Sequence, residues 1–239
     1  MRTRFTVKIS VVVAAWSLLL GGLVGLSEGP AAATTTSAQV LTVSAANSTT
    51  TWATVDAWQR QSDGRFKRVA HFPTARIGAM GMGLASEYVS RTPRGVYSLG
   101  QGFGVQPDPG AGVPYLHVDR NDVWTGSLGT VINQHQRCAP GTCPASYGAA
   151  ERLSNYPQQY AYGAVIGYNM APTYGTGAVY GKGSAFFLHV MNQYATGGCV
   201  ALPQWQVIWV LKWMQAAEHP IISLGIGDLA YAPIPNRYI

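Results

Sequence analysis

The sequence predicts a mainly β protein, a sandwich or barrel-like sheet that carries one buried helix. Three observations predict this fold class. Short segments rich in Val, Thr, Tyr and Trp recur along the chain, and turn residues separate them, with 28 Gly and 14 Pro among 239 residues. A single apolar run is long enough for a helix. Several short strands with such punctuation are typical of an all-β domain.

The strands are predicted in chain order. The first alternates apolar and polar residues, as an exposed strand does, and Asp63-Gly64 between the second and third is a strong hairpin signal. These three segments predict a β-meander. The glycine cluster at 100–104 predicts a turn rather than a nucleotide site, because no βαβ unit surrounds it. The predicted strands are 39–44, 50–59, 65–70, 96–100, 115–118, 162–168, 185–190 and 221–226.

The segment 202–217 predicts the single helix. Apolar residues cover nearly its whole circumference, so we expect the helix to be largely buried. Pro203 suits a first helical turn. Trp205, Trp209 and Trp213 fall on one stripe, and such a stripe is more typical of core packing than of a sugar-binding platform.

The N-terminal residues 1–33 have the pattern of a secretory signal. A basic start is followed by an uncharged apolar stretch, 9–26, and then by three alanines suited to cleavage. The apolar stretch is at the lower limit for spanning a bilayer, so a retained N-terminal membrane anchor is the alternative. Either way we expect the remainder to be secreted or extracytoplasmic, since the positive end stays inside.

Length and composition limit both the domain organisation and the classes of function that the chain could have. The length suits one domain, with residues 34–74 predicted as an N-terminal β extension and residues 75–239 as the main domain. The net charge is +6, and a mildly basic secreted protein is attracted to an anionic wall polymer, although ordinary solubility explains this charge equally well. No basic run indicates nucleic acid. Neither a pair of placed carboxylates for a glycosidase nor a serine-hydrolase elbow is present.

The three cysteines divide into a close pair and one that stands alone. Cys138 and Cys143 flank a Pro-Gly turn, so we expect a disulfide in an oxidising compartment. A metal half-site would need two further ligands at zinc spacing, which the sequence lacks. We therefore expect neither a metal nor a cofactor. Cys199 is left as a candidate free, reactive thiol.

The most informative segment joins a histidine to this cysteine. His189 ends an apolar run, and Cys199 follows ten positions later in the turn Thr196-Gly197-Gly198-Cys199. An imidazole that takes the thiol proton lets the thiolate attack a carbonyl. The N–H groups of Gly198 and Cys199 are candidates for an oxyanion hole, Thr196 for fixing the turn, and a main-chain carbonyl for orienting the imidazole. An inert buried thiol and a structural histidine are the alternatives.

This segment and its flanks resemble the L,D-transpeptidase catalytic-domain family (YkuD-type). Its members carry a strand that ends in His, followed by a Ser/Thr-x-Gly-Cys turn. The resemblance covers roughly residues 75 to 227, and its motifs are 92–97, 165–169, 181–189 and 196–203. Many members have a second histidine where this chain has Gly197, and an arginine or asparagine where it has 200–202. A secreted actinobacterial branch with a small residue at the first position fits best.

The resemblance implies a reaction on peptidoglycan stem peptides. Cys199 would attack the carbonyl of the L-centre of the third-position diamino acid and release D-Ala. An amine of a neighbouring stem would then form a 3→3 cross-link, whereas water would make the protein an L,D-carboxypeptidase. A carbapenem would acylate the same thiol. His117, Tyr168 and Asn169 are the expected substrate contacts. The alternative is a non-catalytic wall-binding module that uses the same pocket.

Overall fold

One large sheet organises the protein in the computed structural model, which describes residues 37–170 and 177–239. The predicted signal peptide or anchor, 1–33, lies outside the described residues. Within those residues no helix has the length and apolarity to cross a membrane. The strands are β1 (Gln39–Ala45), β2 (Trp52–Arg60), β3 (Phe66–Arg76), β4 (Met82–Gly83), β5 (Thr92–Pro93), β6 (Gly95–Ser98), β7 (Gly102–Gly104), β8 (Tyr115–His117), β9 (Asp122–Trp124), β10 (His135–Arg137), β11 (Glu151–Arg152), β12 (Gly163–Val165), β13 (Phe187–Val190), β14 (Val200–Leu202), β15 (Ile221–Ile226) and β16 (Arg237–Tyr238).

The sheet confirms the predicted mainly β fold. Its order is β6-β15-β1-β2-β3-β14-β13-β12-β7-β8, with β16 beside β3. Strands β1 to β3 form the predicted antiparallel meander. Smaller sheets, β10-β9-β11 and β4-β5, lie beside the large one. The helix α1 spans Gln204–Trp213, and short 3₁₀ helices span Ala145–Tyr147, Leu153–Asn155, Ala216–Glu218 and Gly227–Tyr231.

The N-terminal strands belong to the same sheet as the later ones. Strand β1 pairs in parallel with β15, and Arg76 at the end of β3 pairs with Ala201 of β14. The predicted division at residue 75 stays a prediction, and the sheet runs across it. The expectation of an exposed first strand was wrong, because β1 lies between β15 and β2 and is buried on both faces.

The helix covers the core with only one of its faces. Val207, Val210 and Leu211 are fully buried in the main core. Trp205 is 64% exposed, so the prediction of a buried tryptophan stripe was wrong for this residue. The helix is apolar almost all round, but the sheet contacts only one side of it. Trp209 and Trp213 are partly buried against the core, whereas Trp205 lies on the side that faces solvent. The predicted glycine turn at 100–104 was also wrong in part, since β7 occupies 102–104.

Strand β13 separates two clusters of buried side chains, because neighbouring residues on a strand point to opposite faces. Leu188 and Val190 belong to the main core under α1. Phe187 belongs to a second cluster that also contains Cys199. His189 follows Phe187 by two positions and so lies on that same face. The strand therefore presents its histidine to the side of the sheet that holds the cysteine.

Candidate active site

A cleft of about 340 Å³ brings the predicted reactive residues together. It is lined by His189, by Cys199 and by the turn residues that precede this cysteine. A second groove of about 200 Å³ adjoins it and shares Gly197 with it. The cleft is also lined by side chains that the sequence analysis did not single out, namely Glu87, Trp124, Glu151, Tyr156 and Tyr160.

The turn before Cys199 is fixed by hydroxyl groups. The Thr196 hydroxyl donates to the Cys199 carbonyl at 2.7 Å and accepts the Gly198 N–H at 3.1 Å. Thr92, the first residue of one family-like motif, donates its hydroxyl to the same carbonyl at 3.4 Å. Thr196 therefore lies where a turn-fixing hydroxyl is needed. The Gly198 N–H is already engaged in the turn, so its predicted part in an oxyanion hole would require it to share this bond.

Glycine at 198 is required by both conformation and space. Its φ is +145°, which side chains rarely adopt. A Cβ there would lie 2.5 Å from Cε1 of Phe186 and 2.8 Å from the Arg91 carbonyl oxygen. At Gly197, by contrast, a Cβ would meet no atom within 4 Å. The open position is the one where many family members carry a second histidine.

The Cys199 sulfur lies in a nearly closed environment, with 9% of the residue exposed. The thiol donates to the Ala185 carbonyl at 3.3 Å and accepts the Phe187 N–H at 3.4 Å. Burial raises the pKa of the thiol to about 12, against the opposing effect of the Phe187 N–H. In the resting state at neutral pH the residue is therefore a thiol, and activation requires a base.

His189 is oriented for that task by the main chain. Its Nδ1 lies 2.9 Å from the Val190 carbonyl oxygen, as expected from the sequence. A carbonyl only accepts, so Nδ1 carries the proton and Nε2 is left as the basic nitrogen of the neutral ring. Burial lowers the pKa of His189 to about 4, so the ring is neutral at physiological pH. No hydrogen bond joins this imidazole to the Cys199 sulfur within the described ranges, and their predicted approach to about 4 Å stays a prediction.

A buried asparagine, Asn133, fixes the backbone next to the Cys199 thiol. The Asn133 side-chain oxygen accepts the Trp124 indole N–H at 2.7 Å and the Ala185 N–H at 3.0 Å. Ala185 has a φ of +55°, and its carbonyl accepts the Cys199 thiol. The amide of Asn133 thus fixes the backbone whose carbonyl accepts the hydrogen bond of the thiol. Nothing in the sequence pattern marked this residue, because its role depends on contacts between distant segments.

The expected substrate contacts lie away from the cleft. Tyr168 and Asn169 are buried, and their polar groups are bonded to main-chain atoms of other segments. His117 is exposed on β8, at the edge of the sheet, with Nε2 3.3 Å from the Val105 carbonyl oxygen. The structure does not bring these three residues together with Cys199. Contact of these three residues with a substrate stays a prediction.

The other two cysteines form a disulfide, with 5.2 Å between the Cα atoms of Cys138 and Cys143. The Arg152 guanidinium lies against this loop and donates to the Cys138 carbonyl at 3.1 Å. Cys199 is the one free cysteine. Within the described ranges, no group of His, Cys, Asp and Glu is arranged to hold a metal ion.

Comparison with known protein families gives a match that covers most of the chain. The family model of the L,D-transpeptidase catalytic domain (YkuD) matches residues 39–222. This range contains the cleft, both motif residues and the N-terminal strands. A search among curated proteins gives no match.

Proposed function

Because the chain belongs to the L,D-transpeptidase catalytic-domain family, whose activity is directed at peptidoglycan, we propose that it is an L,D-transpeptidase with Cys199 as its nucleophile. In this proposal the donor is a tetrapeptide stem. Cys199 attacks the carbonyl of the L-centre of the third-position diamino acid, and D-Ala leaves. The single observation that carries the proposal is that a free thiol and a neutral, oriented imidazole line the same cleft of this domain.

The proton moves with the attack rather than before it. The raised pKa of Cys199 and the lowered pKa of His189 favour the neutral pair over the thiolate–imidazolium pair. As the sulfur bonds to the substrate carbonyl, Nε2 of His189 takes the thiol proton and then gives it to the departing D-Ala nitrogen. The Cys199 N–H is the donor we assign to the oxyanion. The thioester is then ready for an acceptor.

Two adjoining grooves support a reaction with two substrates. The larger groove is lined by Cys199, and the smaller one meets it at Gly197, with Glu87, Ser184 and Phe186 also lining both. With a histidine at Gly197, a side chain would stand at this junction. We assign one groove to the donor stem and the other to the acceptor, which favours an amine over water and hence 3→3 cross-linking over L,D-carboxypeptidase activity.

We further infer that the protein acts outside the cytoplasm, as a secreted or wall-associated member of an actinobacterial branch. The secretory pattern of residues 1–33 and the disulfide of Cys138 and Cys143 support this location. Fractionation of producing cells, with the protein recovered only from the cytoplasm, would contradict it.

The test uses purified protein and a tetrapeptide stem with a free amine. Chromatography with mass detection should show D-Ala release and a cross-linked dimer from the wild type. Cys199→Ser should give neither product at more than about 1% of the wild-type rate, because a hydroxyl is much less acidic than a thiol. Binding of the stem without any D-Ala release by the wild type would instead support the wall-binding module.

A further inference from the structure

A carboxyl–phenol pair forms the wall of the cleft beside the histidine. The Tyr160 hydroxyl donates to Oε1 of Glu151. The Tyr160 ring meets the His189 ring edge to face, with 5.6 Å between centroids. Both members of the pair line the cleft together with Cys199. The mechanism described above uses neither of them.

The two glutamates that line the cleft differ in how many of their carboxyl oxygens accept hydrogen bonds. Both oxygens of Glu87 accept hydrogen bonds from the hydroxyls of Ser127 and Ser184. Glu151 is bonded only through Oε1, and its Oε2 has no hydrogen-bond partner in residues 37–170 and 177–239. Among the residues that the structure describes, no lysine or arginine lines this cleft to neutralise Glu151. Glu151 thus presents a free carboxylate oxygen to the space where substrates meet the sulfur.

The position of this carboxyl is set by rigid neighbours. Glu151 lies on β11 and pairs with Trp124 of β9, and the Trp124 ring packs edge-on against Phe187 with centroids 5.1 Å apart. Tyr160 packs against Phe187 as well. Since Phe187 belongs to the strand that carries His189, the carboxyl and the imidazole are held on one framework.

We propose that Glu151, held by Tyr160, is the base that deprotonates the acceptor amine when it attacks the Cys199 thioester. The inference rests on the proposed function. The acceptor enters as an ammonium and gives one proton to Oε2 of Glu151. The amine nitrogen bonds to the thioester carbonyl and the carbon–sulfur bond breaks. The second nitrogen proton passes through His189 to the sulfur, which restores the thiol, and Glu151 releases its proton to solvent.

The surroundings suit Glu151 to this step. Burial raises its pKa, and the Tyr160 hydroxyl opposes that effect by stabilising the carboxylate. A raised pKa lies closer to the pKa of the acceptor ammonium, and this smaller difference makes proton transfer from the ammonium to Glu151 easier. Its charge in turn helps to raise the pKa of the thiol. The titratable and charged groups on the elements around Glu151 are Glu87, Asp122, Arg152, Tyr156, Tyr160, His189 and Cys199.

The experiment separates the two half-reactions. D-Ala release on mixing with tetrapeptide stem reports acylation, and decay of the acyl-enzyme with added stem amine reports aminolysis. We expect Glu151→Gln to slow aminolysis by about 100-fold or more, while acylation by a carbapenem stays within about threefold of the wild type. An unchanged rate of acylation by the carbapenem also shows that the variant is folded.

The pH dependence of aminolysis distinguishes a base from a packing residue. The wild-type rate should fall at low pH as Glu151 becomes protonated. Tyr160→Phe keeps the ring but removes the hydrogen bond, so the pKa of Glu151 rises and the fall should move to higher pH. Asp228→Asn, the same change at an exposed carboxyl outside both grooves, should leave the fall at its wild-type pH.

Three results would overturn the inference. One is unchanged aminolysis in Glu151→Gln, and another is an equal loss of acylation and aminolysis. The third is a Tyr160→Phe variant whose acid limb does not move. If the wild type releases no D-Ala at all, the proposed function fails and the inference fails with it.

Discussion

Replacing Gly198 by alanine tests whether the turn before Cys199 requires a glycine at this position. The new Cβ would lie 2.5 Å from Phe186 Cε1 and 2.8 Å from the Arg91 carbonyl oxygen. Ordinary carbon contacts are about 3.5–4.0 Å, so the turn or the ring must move by about 1 Å. The positive φ costs about 1–3 kcal/mol and the overpacking about 1–3 kcal/mol. The expected loss of unfolding free energy is about 2–6 kcal/mol.

The same displacement should impair the chemistry. A misplacement of about 1 Å costs on the order of 100-fold in rate, so Gly198→Ala should be acylated by a carbapenem about 100 times more slowly. The matched control is Gly197→Ala, where a Cβ meets no atom within 4 Å, and which should stay within about threefold. Urea unfolding and stopped-flow acylation measure the two quantities. Wild-type stability and rate in Gly198→Ala would refute the reasoning.

The other predictions concern the base, the thiol and the disulfide. His189→Ala should slow acylation by about 100-fold or more with little change in binding of the stem peptide, measured by calorimetry; wild-type acylation would remove the histidine from the mechanism. Because the pKa of Cys199 is raised to about 12, alkylation by iodoacetamide should rise about tenfold per pH unit between roughly pH 7 and 10, whereas a thiol of ordinary pKa, about 8.5, levels off. Replacing Cys138 and Cys143 by alanine should lower the unfolding free energy by about 2 kcal/mol, the chain-entropy value for so short a loop, and the same Tm before and after reduction of the wild type would contradict this.

The elements with strong local signals were predictable from the sequence. The β2–β3 hairpin follows from Asp63-Gly64, which provides the turn conformation at φ +80° for the glycine. The cleft position of His189 follows from the two-residue repeat of a strand once Phe187 is buried. These features depend on residues that are close together in the chain.

The features that escaped prediction depend on distant contacts. Glu151 and Tyr160 lie in loop-rich sequence. The pairing of β11 with β9 brings Glu151 to the cleft, and packing against Phe187 brings Tyr160 there. Asn133 acts through bonds to segments more than thirty residues away. The exposure of Trp205 follows from which side of α1 meets the sheet, and an almost uniformly apolar helix carries little information about that choice.

The position of the expected substrate contacts also depends on distant parts of the chain. Asn169 is polar and belongs to a motif that resembles the family, which suggested contact with a ligand. In the structure its side chain instead satisfies the main chain of the segment around Val179 and Gly183. A polar residue that closes a loop and one that binds a ligand look alike in a single sequence, because both depend on what the fold places opposite them.

The most direct test of the central claim is the mass of the protein after incubation with a carbapenem, whose strained ring mimics the scissile amide. We expect one adduct, located by peptide mapping on the fragment that contains Gly197, Gly198 and Cys199, and absent in Cys199→Ser. The same adduct should form more slowly in His189→Ala. No adduct on the wild type, or an adduct on any other residue, would contradict the assignment of Cys199 as the nucleophile.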